Sequence, residues 1–169
     1  MQNLAQLHRS YQLHAIPDGP AGVRATLRHM SGLVRRFKVN PIIRELAIRI
    51  VATVTEKKKR AQARAVQNFV RKTIYYVPDV RGVETVQDPV KTLQLKAGDC
   101  DDQSTLAASL LESIGFATKF VAVARAGRFC HVLTQVRIGP NWVSLETTEP
   151  WPLGAFPKGI SGRMEQHNK

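Results

Sequence analysis

The chain has 169 residues, 43% of them hydrophobic, and only two cysteines. That length suits one domain built on a single core, and two cysteines exclude a disulfide framework. The formal charge of +12 is uneven: residues 1–64 hold 13 Lys and Arg against 3 Asp and Glu, whereas residues 65–169 hold 12 against 10. No apolar run approaches the roughly 18 to 20 residues that a membrane helix needs, and the first 19 residues lack the apolar stretch of a signal peptide. A cytoplasmic protein with no membrane association is expected. The histidines are scattered, with no C-x-x-C pair and no H-E-x-x-H, so no metal site and no cofactor is expected.

After the turn-like IPDGP (16–20), Val23, Leu27, Met30, Val34 and Phe37 recur at steps of four and three residues. This predicts an amphipathic helix starting near Pro20. Asn40-Pro41 reads as an N-cap followed by proline at the first helical position, opening a second helix with Ile43, Leu46, Ala47, Ile50, Val51 and Val54 on its apolar stripe. Beyond the charged EKKKR (56–60), Val66, Phe69, Val70, Thr73 and Ile74 mark a third helix that runs into Tyr75-Tyr76. These stripes are core positions and imply no chemistry.

Residues 77–99 have Pro and Gly punctuation and weak periodicity, which reads as a long ordered loop broken by one short helical turn. Loops of this length inside a compact domain are often functional. From Cys100 the helical pattern returns, with Ala107, Leu110, Leu111 and Ile114 as its stripe and Gly115 as its C-cap. Three strands are predicted next, over 118–125, 128–138 and 141–148, the last two joined by Gly139-Pro140. The Pro- and Gly-rich tail from Glu149 reads as irregular.

Cys100 opens a helix, where unpaired N–H groups and the helix dipole favour a thiolate. Asp99, Asp101 and Asp102 surround it with negative charge, which opposes one, although acids at a helix start usually point outward. Along the strand 128–138, alternation puts His131 on one face with Phe129, Leu133 and Gln135, and Cys130 on the other with Val132. A two-residue turn centred on Gly139-Pro140 pairs Glu146 with Leu133, diagonal to His131; a turn one residue earlier pairs it with His131 directly. Either register joins the two side chains, and a three-residue turn would separate them. Each residue taken alone is ordinary. Together, a helix-start Cys, a strand His and a hairpin acid have the order and chemistry of a thiol nucleophile, its base and an orienting carboxylate.

The segments TLQLKAGDCDDQSTLAASLLESIGFATKFVAVA, FCHVLTQV and NWVSLETTEP resemble the core of the transglutaminase-like superfamily over roughly residues 92–150. The helices before it are similar to those of small phage and prophage members. The resemblance implies an α+β fold, with a papain-like nucleophile helix against a small antiparallel sheet and an N-terminal helical region. It implies Cys100 as nucleophile, His131 as general base and acid, and Glu146, where Asp is usual, as the orienting carboxylate. Gln94, six residues before Cys100, is the candidate second oxyanion donor beside the Cys100 N–H. The organisation expected is a basic helical region (1–76), the core (77–150) and a tail (151–169), in one compact unit. The expected function is acyl transfer or hydrolysis on protein amides through a Cys100 thioester. The alternative is a virion structural or assembly protein that keeps the fold, located in the virion. Arg28, Arg35, Arg36, Lys57, Lys58 and Lys59 are the candidate contacts to a macromolecular partner, either a virion protein or nucleic acid, with binding that weakens in salt.

Overall fold

In the computed structural model, which describes residues 19–52, 54, 58–79 and 85–168, the three basic stripes fold as α1 (Gly19–Phe37), α2 (Pro41–Val51) and α3 (Lys59–Thr73). Asn40 caps α2: its side chain accepts the Ile42 N–H at 2.9 Å, and Pro41 sits where a missing N–H costs nothing. Lys57 lies outside the described residues.

The stretch predicted as loop holds more order than its weak periodicity suggested. Its described part contains α4 (Pro89–Leu95), flanked by two short parallel strands, β1 (Tyr75–Tyr76) and β2 (Ala97–Gly98). Asp88 caps α4 by accepting the Lys91 N–H, and Pro89 follows at the first position. This is the same signature as Asn40-Pro41. Lys96 then takes a left-handed conformation that stops the helix.

The helix α5 (Cys100–Ser113) is the centre of the molecule. Every residue from Asp101 to Leu111 is buried, so no single stripe describes it. One side meets the helical region: Ile43, Ala47, Ala63, Val66 and Val70 share one apolar cluster with Leu106, Leu110 and Leu111. The other side meets a sheet of order β5-β4-β3-β6, made of β3 (Thr118–Arg125), β4 (Arg128–Ile138), β5 (Asn141–Leu145) and β6 (Gly162–His167), antiparallel throughout.

Residues 162–167 correct the expected irregular tail: they pair with β3 as an edge strand, with Met164 opposite Ala122. The preceding residues stay irregular and cover the second face of the sheet, where Phe156 and Ile160 pack on Val121, Val123 and Leu133. With α1 and α5 on its first face, β3 is buried on both, which accounts for its unbroken FVAVA run.

Candidate active site

The N-terminus of α5 is held by carboxylates that point inward. Asp99 caps the helix, its Oδ1 accepting the N–H groups of Asp101 and Asp102 at 3.0 and 3.2 Å, while Asp102 Oδ2 accepts the Asp99 N–H at 3.3 Å. This reciprocal capping box satisfies donors that would otherwise be orphaned at the helix start. Asp102 also takes the Gln87 N–H at 2.7 Å and its side-chain amide at 2.8 Å, which ties the preceding loop to the helix. Gly98 makes this possible, because a Cβ there would lie 2.6 Å from Cβ of Asp102. Gly98→Ala is therefore expected to cost about 1 to 3 kcal/mol through overpacking, read as a lower denaturant midpoint.

The expectation that the helix-start acids face outward is thus overturned, with a consequence for the Cys100 thiol. The Cys100 thiol, half-buried in the first turn, donates toward Asp101 Oδ1 at 3.5 Å. Burial pushes this thiol well above the usual range, and the charges of Asp101 and Asp99 push it further; the Val132 backbone N–H, directed at the sulfur, opposes them. The Cys100 thiol is thus held in its neutral form. Burial, then the charge of Asp102, raises Asp99 to about 7, and burial raises Asp102 to about 6 against the hydrogen bonds from Gln87 and Asp99. Removing the charge nearest the sulfur favours its ionised form. Asp101→Asn, made in a Cys130→Ser background, should shift the pH profile of iodoacetamide alkylation to lower pH; an unchanged profile would show that Asp101 does not act on the thiol.

His131 lies on β4 beside a bulge. Val123 pairs with His131 and Ala124 with Phe129, so Cys130 is the extra residue. The bulge corrects the simple alternation: Phe129 packs in the same cluster as Val132, on the helix side of the sheet, and does not share a face with His131. The hairpin to β5 has the two-residue connection expected, with Ile138 opposite Asn141 and Thr134 opposite Leu145; Gly139 supplies the positive φ. Glu146 follows at the next step, just past the end of β5 and diagonal to His131. Its Oε2 meets His131 Nε2 at 2.7 Å.

Glu146 is 1% exposed. Its Oε1 accepts the Thr148 N–H at 2.8 Å, the Thr148 hydroxyl at 2.9 Å and the Glu149 N–H at 3.4 Å. Burial alone would raise this carboxyl, but the His131 bond and the Thr148 donors outweigh it and hold it below the usual range. Glu146 therefore stays ionised beside the imidazole. It fixes Nε2 as the protonated nitrogen and leaves Nδ1 as an acceptor. The sulfur lies against the backbone of the next residue, Val132. Among the described residues no hydrogen bond joins the sulfur to the His131 ring.

The sequence profile of the transglutaminase-like superfamily matches residues 44–147, from α2 through α5 to the residue after Glu146. The chain belongs to this superfamily. The match begins well before residue 92, where the resemblance of motifs starts, and so takes in α3 as superfamily structure. Solved structures share the fold. A candidate protease from Parabacteroides distasonis superposes with a TM-score of 0.58 at 12% identity, over 72% of this chain and 26% of that one. A candidate cysteine protease from Cytophaga hutchinsonii superposes with a TM-score of 0.57 at 15% identity, over 82% of this chain and 51% of that one. This chain thus spans about a quarter and about half of their lengths. No curated protein sequence matches it.

Gln94 is exposed on the last turn of α4. The glutamine that supports the site is one the sequence did not single out. Gln67, 1% exposed on α3, donates to the Glu146 carbonyl at 2.8 Å and to the Trp151 carbonyl at 3.2 Å. A polar residue on the same helix face as Ala63, Val66 and Val70 was its only signal. Arg28, Arg35, Arg36, Lys58 and Lys59 are exposed on α1 and at the start of α3.

Donor atoms of Asp99, Cys100 and Asp101 lie within 4.8 Å of one another and could share a cation. Asp99 Oδ1 also accepts two helix N–H groups, which leaves its Oδ2 as the oxygen it could offer. Among the described residues no helix is long and apolar enough to cross a membrane.

Proposed function

We propose that the protein is a cysteine enzyme acting on amide groups of protein substrates through a Cys100 thioester. The observation that carries this reading is the buried Glu146 carboxylate on His131 Nε2, one residue along β4 from Val132, whose apolar cluster Cys100 packs against. A lone core histidine has no need of an ionised partner supported by three further donors.

Because the thiol rests neutral, His131 acts as a general base during attack, in place of a standing ion pair. Nδ1 takes the thiol proton as the sulfur bonds to the amide carbon, and the oxyanion is met by the Cys100 N–H at the start of α5. The imidazolium, stabilised by Glu146, returns that proton to the departing nitrogen as the C–N bond breaks. A primary amine or water then attacks the thioester, giving His131 a proton that passes to the sulfur as it leaves. An amine acceptor gives cross-linking; water gives deamidation or peptide cleavage.

Three parallel assays test this: incorporation of a fluorescent primary amine into casein, conversion of glutamine to glutamate in peptides, and casein cleavage, each with wild type and Cys100→Ala. Product in at least one, absent in the variant, is the expected result. Equal product from both proteins, or none in all three assays, would overturn the reading and return weight to an inactive structural protein.

A further inference from the structure

A depression of about 540 Å³ lies far from the thiol site, where the first turns of α3 meet the β4–β5 hairpin, lined by Lys58, Lys59, Arg60, Ala61, Arg64, Ile138 and Gly139. Four of these side chains are cationic and none is acidic. None of the four takes part in a salt bridge among the described residues. What holds two of them is neutral. The Lys59 ammonium sits 4.9 Å over the Phe116 ring, and Arg60 Nη2 donates to the Leu153 carbonyl at 3.0 Å. The turn is fitted to that guanidinium: Gly154, at φ +100, has Arg60 Nη2 within 3.2 Å of where a Cβ would stand. Lys59 and Arg60 are thus held in place by neutral groups, and among the described residues no acidic side chain forms a salt bridge with the four cations.

We infer that this cleft, formed by Lys58, Lys59, Arg60 and Arg64, binds the phosphate backbone of double-stranded nucleic acid. The lining decides the class of ligand. A protein partner needs an apolar or aromatic anchor at the centre of its footprint, and this cleft offers only Ala61, Ile138 and Gly139 between its charges. Single strands are held by stacking on aromatic rings, and no aromatic side chain lines the cleft. A duplex backbone asks only for closely spaced cations. The excess of 13 Lys and Arg over 3 Asp and Glu in residues 1–64 gives a wider field that would draw such a polyanion toward it.

The test is fluorescence anisotropy of the full chain with a labelled duplex of roughly 20 base pairs and mixed sequence, titrated between about 50 and 200 mM salt. Lys58→Glu with Arg64→Glu reverses two cleft charges, and the milder Lys58→Gln with Arg64→Gln removes them. Arg125→Glu with Arg128→Glu is the matched control, since these exposed residues pair at the opposite end of β4 and change the net charge equally. Melting curves confirm that all three variants fold. The cleft reversal should weaken binding by about tenfold or more and lower the salt slope by about two, the neutral pair should fall between it and wild type, and the control should stay within about threefold. Equal losses in the cleft reversal and its control would show that net charge alone acts. No binding by wild type at the lowest salt, or competition by polyglutamate as strong as by unlabelled duplex, would also overturn the assignment.

Discussion

Cys100→Ala is expected to abolish turnover on amide substrates, a loss of at least about 10⁴-fold, while the fold is retained. The loss is large because no other described thiol can take over. Cys130, the bulged residue, is exposed and directs its sulfur at the Val123 carbonyl at 3.9 Å. Stability should change by no more than about 1 kcal/mol. The capping box that starts α5 uses Asp99 and Asp102, and alanine at position 100 disturbs neither. Turnover assays and denaturant unfolding on one preparation check both halves. Cys130→Ser should keep full activity.

Glu146→Gln is expected to reduce acylation by about 10² to 10⁴-fold through a single misplaced proton. Three donors converge on Oε1, from Thr148 N–H, the Thr148 hydroxyl and Glu149 N–H, so a glutamine must keep its carbonyl oxygen there. Its NH2 then faces His131 Nε2 and donates to it. The ring proton is forced onto Nδ1, where it points at the thiol it should deprotonate. Stability should suffer much less than in Glu146→Ala, which strands all the buried donors and is expected to cost about 3 to 5 kcal/mol. Single-turnover acylation rates and unfolding midpoints separate the two variants. A Glu146→Gln enzyme as fast as wild type would mean that Glu146 does not set the tautomer.

The parts of this site that were legible in the sequence are those fixed by short-range rules. The His131–Glu146 contact follows from alternation plus a two-residue turn, and the structure uses the register with Leu133 opposite Glu146. The helix starts at Asn40-Pro41 and Cys100 were equally readable, because caps are local. Asp88-Pro89 carries the same signal and opens α4, which answers to the one short helical turn expected in this loop; its seven residues are too short to show a stripe.

What stayed hidden depends on packing between segments distant in the chain. The bulge at Cys130 shows only in the pairing of β4 with β3. The inward turn of Asp102 depends on Gln87 and on Gly98 giving it room. The role of Gln67 depends on α3 lying against the segment after β5. The strand at 162–167 was missed because its faces alternate weakly, with Met164 its one apolar residue, as suits an edge.

The site of acylation tests the central claim most directly. The full chain, with both cysteines present, would be treated with a chromogenic ester of a glutaminyl peptide, quenched in acid and mapped by mass spectrometry. The acyl group is expected on Cys100, removed by neutral hydroxylamine as a thioester is, and formed more slowly in Glu146→Gln. An acyl group found on Cys130 or on lysines alone, with Cys100 left free, would contradict the assignment of Cys100, His131 and Glu146 as the active site.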